Sequence, residues 1–130
     1  MKWFIIITFV MIGVVTFWQM FHYSFGQTEL TAKMISSEQL KNATIIDVRT
    51  ASEFAEGHVE SAINIDFFDS KFVAKVKQLN PEKAYILYCR SGNRSGQAMR
   101  LMQQLGFKQL VNGRTPQETA LRLNKKCIGC

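Results

Sequence analysis

Residues Ala84-Tyr85-Ile86-Leu87-Tyr88 form an unbroken apolar, β-prone run. A strand with no polar alternation has no face to offer water, which is the pattern of a parallel strand covered on both sides. That requirement alone demands a sheet with a layer of structure above it and another below. The neighbouring segments can supply both. Ala43 to Val48 reads as a second buried strand, with Ala62 to Ile65 and Gln109 to Val111 as further short ones. Ala98, Leu101, Met102 and Leu105 mark the core face of a helix, and Gly106 is a natural C-cap.

Helix starts are also written into the chain. Ser36 and Gln39 have capping-box spacing, and Thr50 and Glu53 repeat it for a helical turn ending near Gly57. Phe68, Phe72, Val76 and Leu79 fall on one helical face and read as core, with Asn80-Pro81 as the stop. Thr115, Pro116 and Glu118 provide an N-cap, a first-turn proline and an N3 acid for a closing helix. Alternation of this kind predicts an α/β three-layer sandwich with right-handed crossovers. Its sheet is mainly parallel, of about five short strands, with helices on both faces. Ligands of such sheets bind beyond the carboxyl ends of strands.

Three segments follow from composition: residues 1–26, 27–125 and 126–130. In the first, Lys2 precedes an almost unbroken apolar run from Trp3 to Trp18. The run is long for a secretory core and short for a membrane span, unless it extends to Phe25. A retained anchor is the favoured reading, with Trp3, Trp18 and Tyr23 suited to the interfaces. A cleaved signal peptide comes second, because Ser24 and Gly26 are small residues at −3 and −1 before Gln27. A buried helix comes last. Both leading readings export the domain, to the periplasm or to the outer side of the inner membrane.

From Gln27 onward fifteen Lys and Arg face ten Asp and Glu, scattered rather than grouped with aromatics. Nucleic-acid binding has little support in that pattern. A mild positive field suits a small anionic substrate. Cys127 and Cys130 form a Cys-x-x-Cys pair, read as a loose tail or small disulfide in preference to a resolving dithiol for Cys89. Two cysteines and distant histidines do not make a zinc site, so no metal is expected. His58 reads as a turn-shaping residue rather than a base.

The remaining thiol, Cys89, opens the loop Cys89-Arg90-Ser91-Gly92-Asn93-Arg94-Ser95. The loop joins a strand end to a helix start, so several backbone N–H groups can converge on an anion. Gly92 allows a tight turn, and Arg90 and Arg94 add positive charge. These surroundings lower a thiol's pKa and suit a persulfide anion equally well. A lone buried cysteine is more often inert packing. Two arginines, a glycine and a helix start directly after it argue against that here.

The segment Cys89 to Ser95 resembles the active-site loop of rhodanese-type sulfurtransferases. Ile46-Asp47-Val48-Arg49, Glu53-Phe54 and Gly57-His58-Val59-Glu60-Ser61-Ala62-Ile63-Asn64-Ile65 stand where that family carries its other signatures. The similarity runs from about Met34 to Val111, and with its export segment the chain is most similar to small single-domain rhodaneses of the phage-shock type. The resemblance implies a rhodanese-like sandwich without a cofactor. It implies that Cys89 takes sulfur from a small anionic donor such as thiosulfate and yields it, as a persulfide, to cyanide or a small thiol. The N–H groups of Arg90, Ser91, Gly92, Asn93 and Arg94 would stabilise charge on sulfur. Arg90 would meet the donor's sulfonate, and Arg94 would do the same or brace the loop. Ser95, Asp47 and Arg49 would support.

Two other classes compete. One is a non-catalytic persulfide carrier or sulfur-sensing interaction module. The other is a cysteine phosphatase or arsenate-type reductase, disfavoured because only four residues separate Cys89 from Arg94 where phosphatases have five. The chain also departs from the family pattern. Ser61 replaces a common glycine, and Asn112-Gly113-Arg114 lacks the usual second glycine, with Arg114 expected at the surface.

Overall fold

The computed structural model describes residues 11, 13–17, 19 and 35–130. Residues 11, 13–17 and 19 are helical and belong to a unit separate from Ile35–Cys130. Among the described residues no helix is long and apolar enough to cross a membrane. The reading of residues 1–26 as anchor or signal falls mostly outside them.

Within Ile35–Cys130 the order is α1 (Ser37–Lys41), β1 (Thr44–Asp47), α2 (Ala51–Glu56), β2 (His58–Val59), β3 (Ile63–Asn64), α3 (Phe72–Val76), β4 (Ala84–Tyr88), α4 (Asn93–Gln104), β5 (Gln109–Arg114), α5 (Pro116–Leu123) and β6 (Cys127–Ile128). Four strands make one parallel sheet in the order β3-β1-β4-β5. The apolar run that set the expectation is β4, at the centre, with the predicted bounds. The parallel sheet has four strands rather than about five, because β2 pairs antiparallel with β6 in a separate ribbon.

Side chains of β1 and β4 alternate between two cores. Ile46, Tyr85, Leu87 and Cys89 face one, with Phe72, Val76, Ala98 and Met102 from α3 and α4. Ile45, Ile86 and Tyr88 face the other, with Val59 and Ala120, and with Leu40, Leu123 and Cys127 packed against them. The helices therefore cover both faces. Ile86 and Leu87, adjacent and fully buried on opposite faces, each contribute roughly 1.5–3 kcal/mol of apolar burial.

The caps form as the sequence specifies. Ser36 and Thr50 head reciprocal capping boxes with Gln39 and Glu53, and Thr115 caps α5 ahead of Pro116. Leu105 is the C-cap of α4, and Gly106 follows it in the left-handed region. Ser61 also has a positive φ, 67°, so the departure from glycine there puts a side chain where it costs about 1 kcal/mol.

One expectation needs correction. Phe68 is not core: it is 69% exposed. The helix begins only at Phe72, because Asp66 and Asp69 accept hydrogen bonds from the Phe68 and Lys71 N–H groups and hold the segment in turns. Of the two readings kept for residues 126–130, the structure forms the small disulfide and not the loose tail. Cys127 pairs with Val59 across the ribbon, the Glu60 N–H donates to the Lys126 carbonyl at 2.9 Å, and Cys127 and Cys130 are disulfide-bonded.

Candidate active site

Cys89 stands at the carboxyl end of β4, only 1% exposed. Its N–H donates to the Arg114 carbonyl at 3.0 Å, which ties the strand end to the end of β5. The chain then turns through Gly92 at φ +94° directly into α4, and no side chain caps that helix. The sulfur lies beside this uncapped start, where the Gly92 N–H donates to Sγ at 3.1 Å. The Ser95 hydroxyl lies 3.5 Å from the same sulfur. Burial resists ionisation of the Cys89 thiol. The Ser95 hydroxyl and the N–H groups of Ser95, Ser91 and Gly92 outweigh it, and the pKa falls below that of an ordinary cysteine.

The loop is held from two sides. From β5, the Asn112 amide donates to the Gly92 carbonyl at 3.0 Å and its oxygen accepts from the Ser95 hydroxyl at 2.8 Å and the Arg114 N–H at 3.0 Å. From α2, Glu53 receives both guanidinium nitrogens of Arg94, at 2.7 and 2.8 Å. The Arg94 hydrogen bond is the main reason that the Glu53 carboxyl is held down to about 2, and the Thr50 N–H and hydroxyl add to it against some burial. The guanidinium also lies 5.8 Å from the centre of the Phe68 ring. Of the two roles open to Arg94, bracing the loop is the one it performs here.

The other expected residues divide by exposure. Arg90, Ser91 and Asn93 are exposed around the loop, Gly92 is half-buried, and Ser95 is buried behind the sulfur. Asp47 is fully buried and accepts from the Arg49 backbone N–H at 2.9 Å and from its guanidinium at 2.6 Å. Arg49 also donates to the Gly57 carbonyl at 2.5 Å and lies 5.6 Å from the Tyr88 ring centre. Asp47 and Arg49 thus fasten the end of β1 to the start of β2. The Arg114 side chain is at the surface beside Glu118, 3.5 Å away. Gly113 is required by packing, since a Cβ there would overlap Thr119 Oγ1. The His58 ring stacks on Phe54 and bonds to the Phe54 carbonyl at 2.9 Å.

Cys89 belongs to one core and Cys127 to the other, on opposite faces of the sheet. The sheet therefore stands between Cys127 and Cys89, whereas Cys130 lines a cleft with Glu53, the partner of Arg94. Among the described residues, no three His, Cys, Asp or Glu side chains assemble as a metal-binding group.

Sequence reasoning assigned Glu53 to a cap and did not assign Asn112. Glu53 stood in a quoted family signature, which was the available signal. For Asn112 only the bond from the Arg114 N–H is local, and its contacts to Gly92 and Ser95 come from elements far away in sequence.

Comparison with known proteins gives a consistent set. The sequence profile described as "Rhodanese-like domain" matches residues 27–113. YtwF of Bacillus subtilis is 35% identical over 79 residues, covering 61% of this chain and 72% of that protein. The protein named "Thiosulfate sulfurtransferase PspE" of Escherichia coli is 32% identical over 69 residues, and the match spans 52% of this chain and 64% of PspE. Among solved structures, a rhodanese-related protein of Thermoplasma volcanium superposes with a TM-score of 0.56 at 29% identity, over 72% of this chain and 90% of its own. A rhodanese with anions from E. coli gives 0.50 at 26% identity, over 58% and 89%.

Proposed function

The chain belongs to the rhodanese-like family, and from that premise we propose that it is a sulfurtransferase working through a persulfide on Cys89. The donor is a small sulfur anion such as thiosulfate, and the acceptor is cyanide or a small thiol. The observation that carries the reading is the Cys89 sulfur itself, receiving the Gly92 N–H beside a helix start that no side chain caps.

In the first step the Cys89 thiolate attacks the outer sulfur of thiosulfate. A Cys–S bond forms, the donor's S–S bond breaks, and its electron pair leaves with sulfite. In the second, cyanide attacks the outer persulfide sulfur, thiocyanate departs and the thiolate returns. Negative charge stays on sulfur throughout, so the N–H groups that lower the thiol's pKa also stabilise the persulfide. The exposed Arg90 side chain would meet the sulfonate, as the family resemblance implies. Arg94, engaged with Glu53, is not held for a phosphoryl group, which argues against the phosphatase reading. Export, with residues 1–26 retained or cleaved, belongs to the same proposal and rests on the apolar N-terminal sequence.

The test is intact mass after incubation with thiosulfate, followed by cyanide and a thiocyanate assay, with Cys89→Ser as control. A one-sulfur adduct that turns over is expected, and the variant should lose at least about 10³-fold in rate. An adduct that does not turn over means a carrier. Hydrolysis of an aryl phosphate with no sulfur adduct overturns the assignment.

A further inference from the structure

The second sulfur centre is anchored through Cys127 in the core on the other face of the sheet. We propose that the Cys127–Cys130 disulfide is a thiol-exchange site for small thiols, with Cys130 as the sulfur that is attacked.

Position separates the two sulfurs. Cys130 is exposed, whereas Cys127 is half-buried, fixed in β6 opposite Val59 and packed against the Ile45–Ile86–Tyr88 core. Cys130 lines an open polar cleft of about 180 Å³ together with Arg49, Glu53, Glu56, Gly57 and Gln117. An incoming thiolate therefore meets Cys130 first. Cys127 leaves from a position that β6 preserves.

The bridge joins residues only three apart in sequence. A closed loop that short restrains the unfolded chain least, so stabilisation is a weak reason for this disulfide. The segment is secured without it. Gly57 and Gly129 are in such close backbone contact that a Cβ on Gly57 would lie 2.7 Å from the Gly129 carbonyl carbon, and one on Gly129 would lie 2.6 Å from the Glu56 oxygen. The Glu60–Lys126 hydrogen bond and the ribbon register add to that. Exposed bridges of this kind are the ones open to exchange.

The chemistry balances with two thiols. The first thiolate bonds to Cys130 Sγ as the Cys127–Cys130 bond breaks, and the electron pair goes to Cys127, which takes a proton from water. A second thiolate attacks the external sulfur of the mixed disulfide, releasing the oxidised small disulfide and a Cys130 thiolate that is protonated in turn. The protein gains two electrons, and two thiols lose them.

The experiment uses the full chain in native buffer with graded reduced and oxidised glutathione, an alkylating quench and peptide mass mapping. The bridge should open at millimolar glutathione, with the glutathione adduct on Cys130 and the alkyl label on Cys127. In single variants, Cys130→Ser should leave Cys127 forming a mixed disulfide at least about tenfold more slowly than Cys130 does in Cys127→Ser. A bridge that opens only in urea, or an adduct that falls on Cys127, overturns the proposal.

Discussion

The loops that follow β1 and β4 leave neighbouring parallel strands, and each runs into a helix. They end oppositely. After β1, Thr50 and Glu53 close a capping box, so the first N–H groups of α2 are occupied by the chain's own oxygens. After β4, the cap position holds Gly92, which has no side chain to give, and the N–H groups turn towards Cys89. One helix start spends its donors on stability, while the other keeps them for a sulfur anion. The site is found where the local rule for starting a helix is left incomplete and a reactive group stands beside it.

The most damaging way to break this contrast is to supply α4 with the kind of cap that α2 has. Gly92→Asp places a carboxylate beside the sulfur and a Cβ about 3.3 Å from the Arg114 side chain, at a φ suited to glycine. Sulfur transfer should fall by roughly 10² to 10³-fold, as for loss of a preorganised anion donor. The midpoint for alkylation of Cys89 against pH should rise. If the midpoint holds and only expression suffers, the amides do not govern the thiol.

Ser95→Ala comes next. It removes the hydroxyl from the sulfur and from Asn112 and keeps the backbone donors. A hydrogen bond to a charged group is worth about 1.5–3 kcal/mol, and shared with three N–H groups it should cost the transfer rate about tenfold. Below the folded thiol's midpoint both proteins react slowly. The difference opens above it and closes again above the variant's raised midpoint. Alkylation followed from pH 5 to 10 measures both.

The legibility of this site follows from range. The caps, the central strand and the Cys89 loop were all readable because each depends on residues a few positions apart. The supporting role of Asp47 and Arg49 came from the family resemblance instead, although the two bond only two residues apart. Glu53 and Arg94 are 41 residues apart, and Asn112 reaches the loop from a third element. Their partnership depends on the order β1-β4-β5, which places those three strand ends side by side. Phe68 failed for the opposite reason: a helical period was present, but aspartates at Asp66 and Asp69 imposed turns on it. The pairing of β6 with β2 had no period to reveal it, since each is two residues long.

Glu53 belongs to both halves of the contrast, and Glu53→Gln separates them. Glutamine still serves a capping box at N3, so α2 should keep its start while Arg94 loses a charged partner. Transfer should drop a few-fold, about the effect of one partly exposed charge-assisted pair. The sign with pH is set by the carboxyl, which ionises near 2 when folded against 4.5 in its ordinary state. A depressed pKa stabilises the fold above the ordinary value and loses that contribution as pH falls towards the folded one. The stability difference between wild type and variant should therefore be constant above about pH 5 and shrink between 4.5 and 2. Urea unfolding at stepped pH would show it, and a difference that grows on acidification would contradict the pairing.

The smallest chemical effect belongs to Thr50→Ala, which opens the capped helix instead of the uncapped one. Loss of an N-cap oxygen costs about 1 kcal/mol, a fall of about 4–8 °C in Tm for a domain of this size. Removing a cap from α2 exposes donors that face no sulfur, so the alkylation midpoint of Cys89 should stay where it is. Together with Gly92→Asp it forms a crossed pair: one change should alter melting and leave the thiol alone, the other should alter the thiol. If Thr50→Ala also raised the Cys89 midpoint, the influence would have to pass through Glu53 and Arg94, because the Thr50 hydroxyl bonds to Glu53 at 3.1 Å. Repeating the titration in Thr50→Ala with Glu53→Gln then decides the matter, since a shift carried by that chain disappears once the carboxylate is gone.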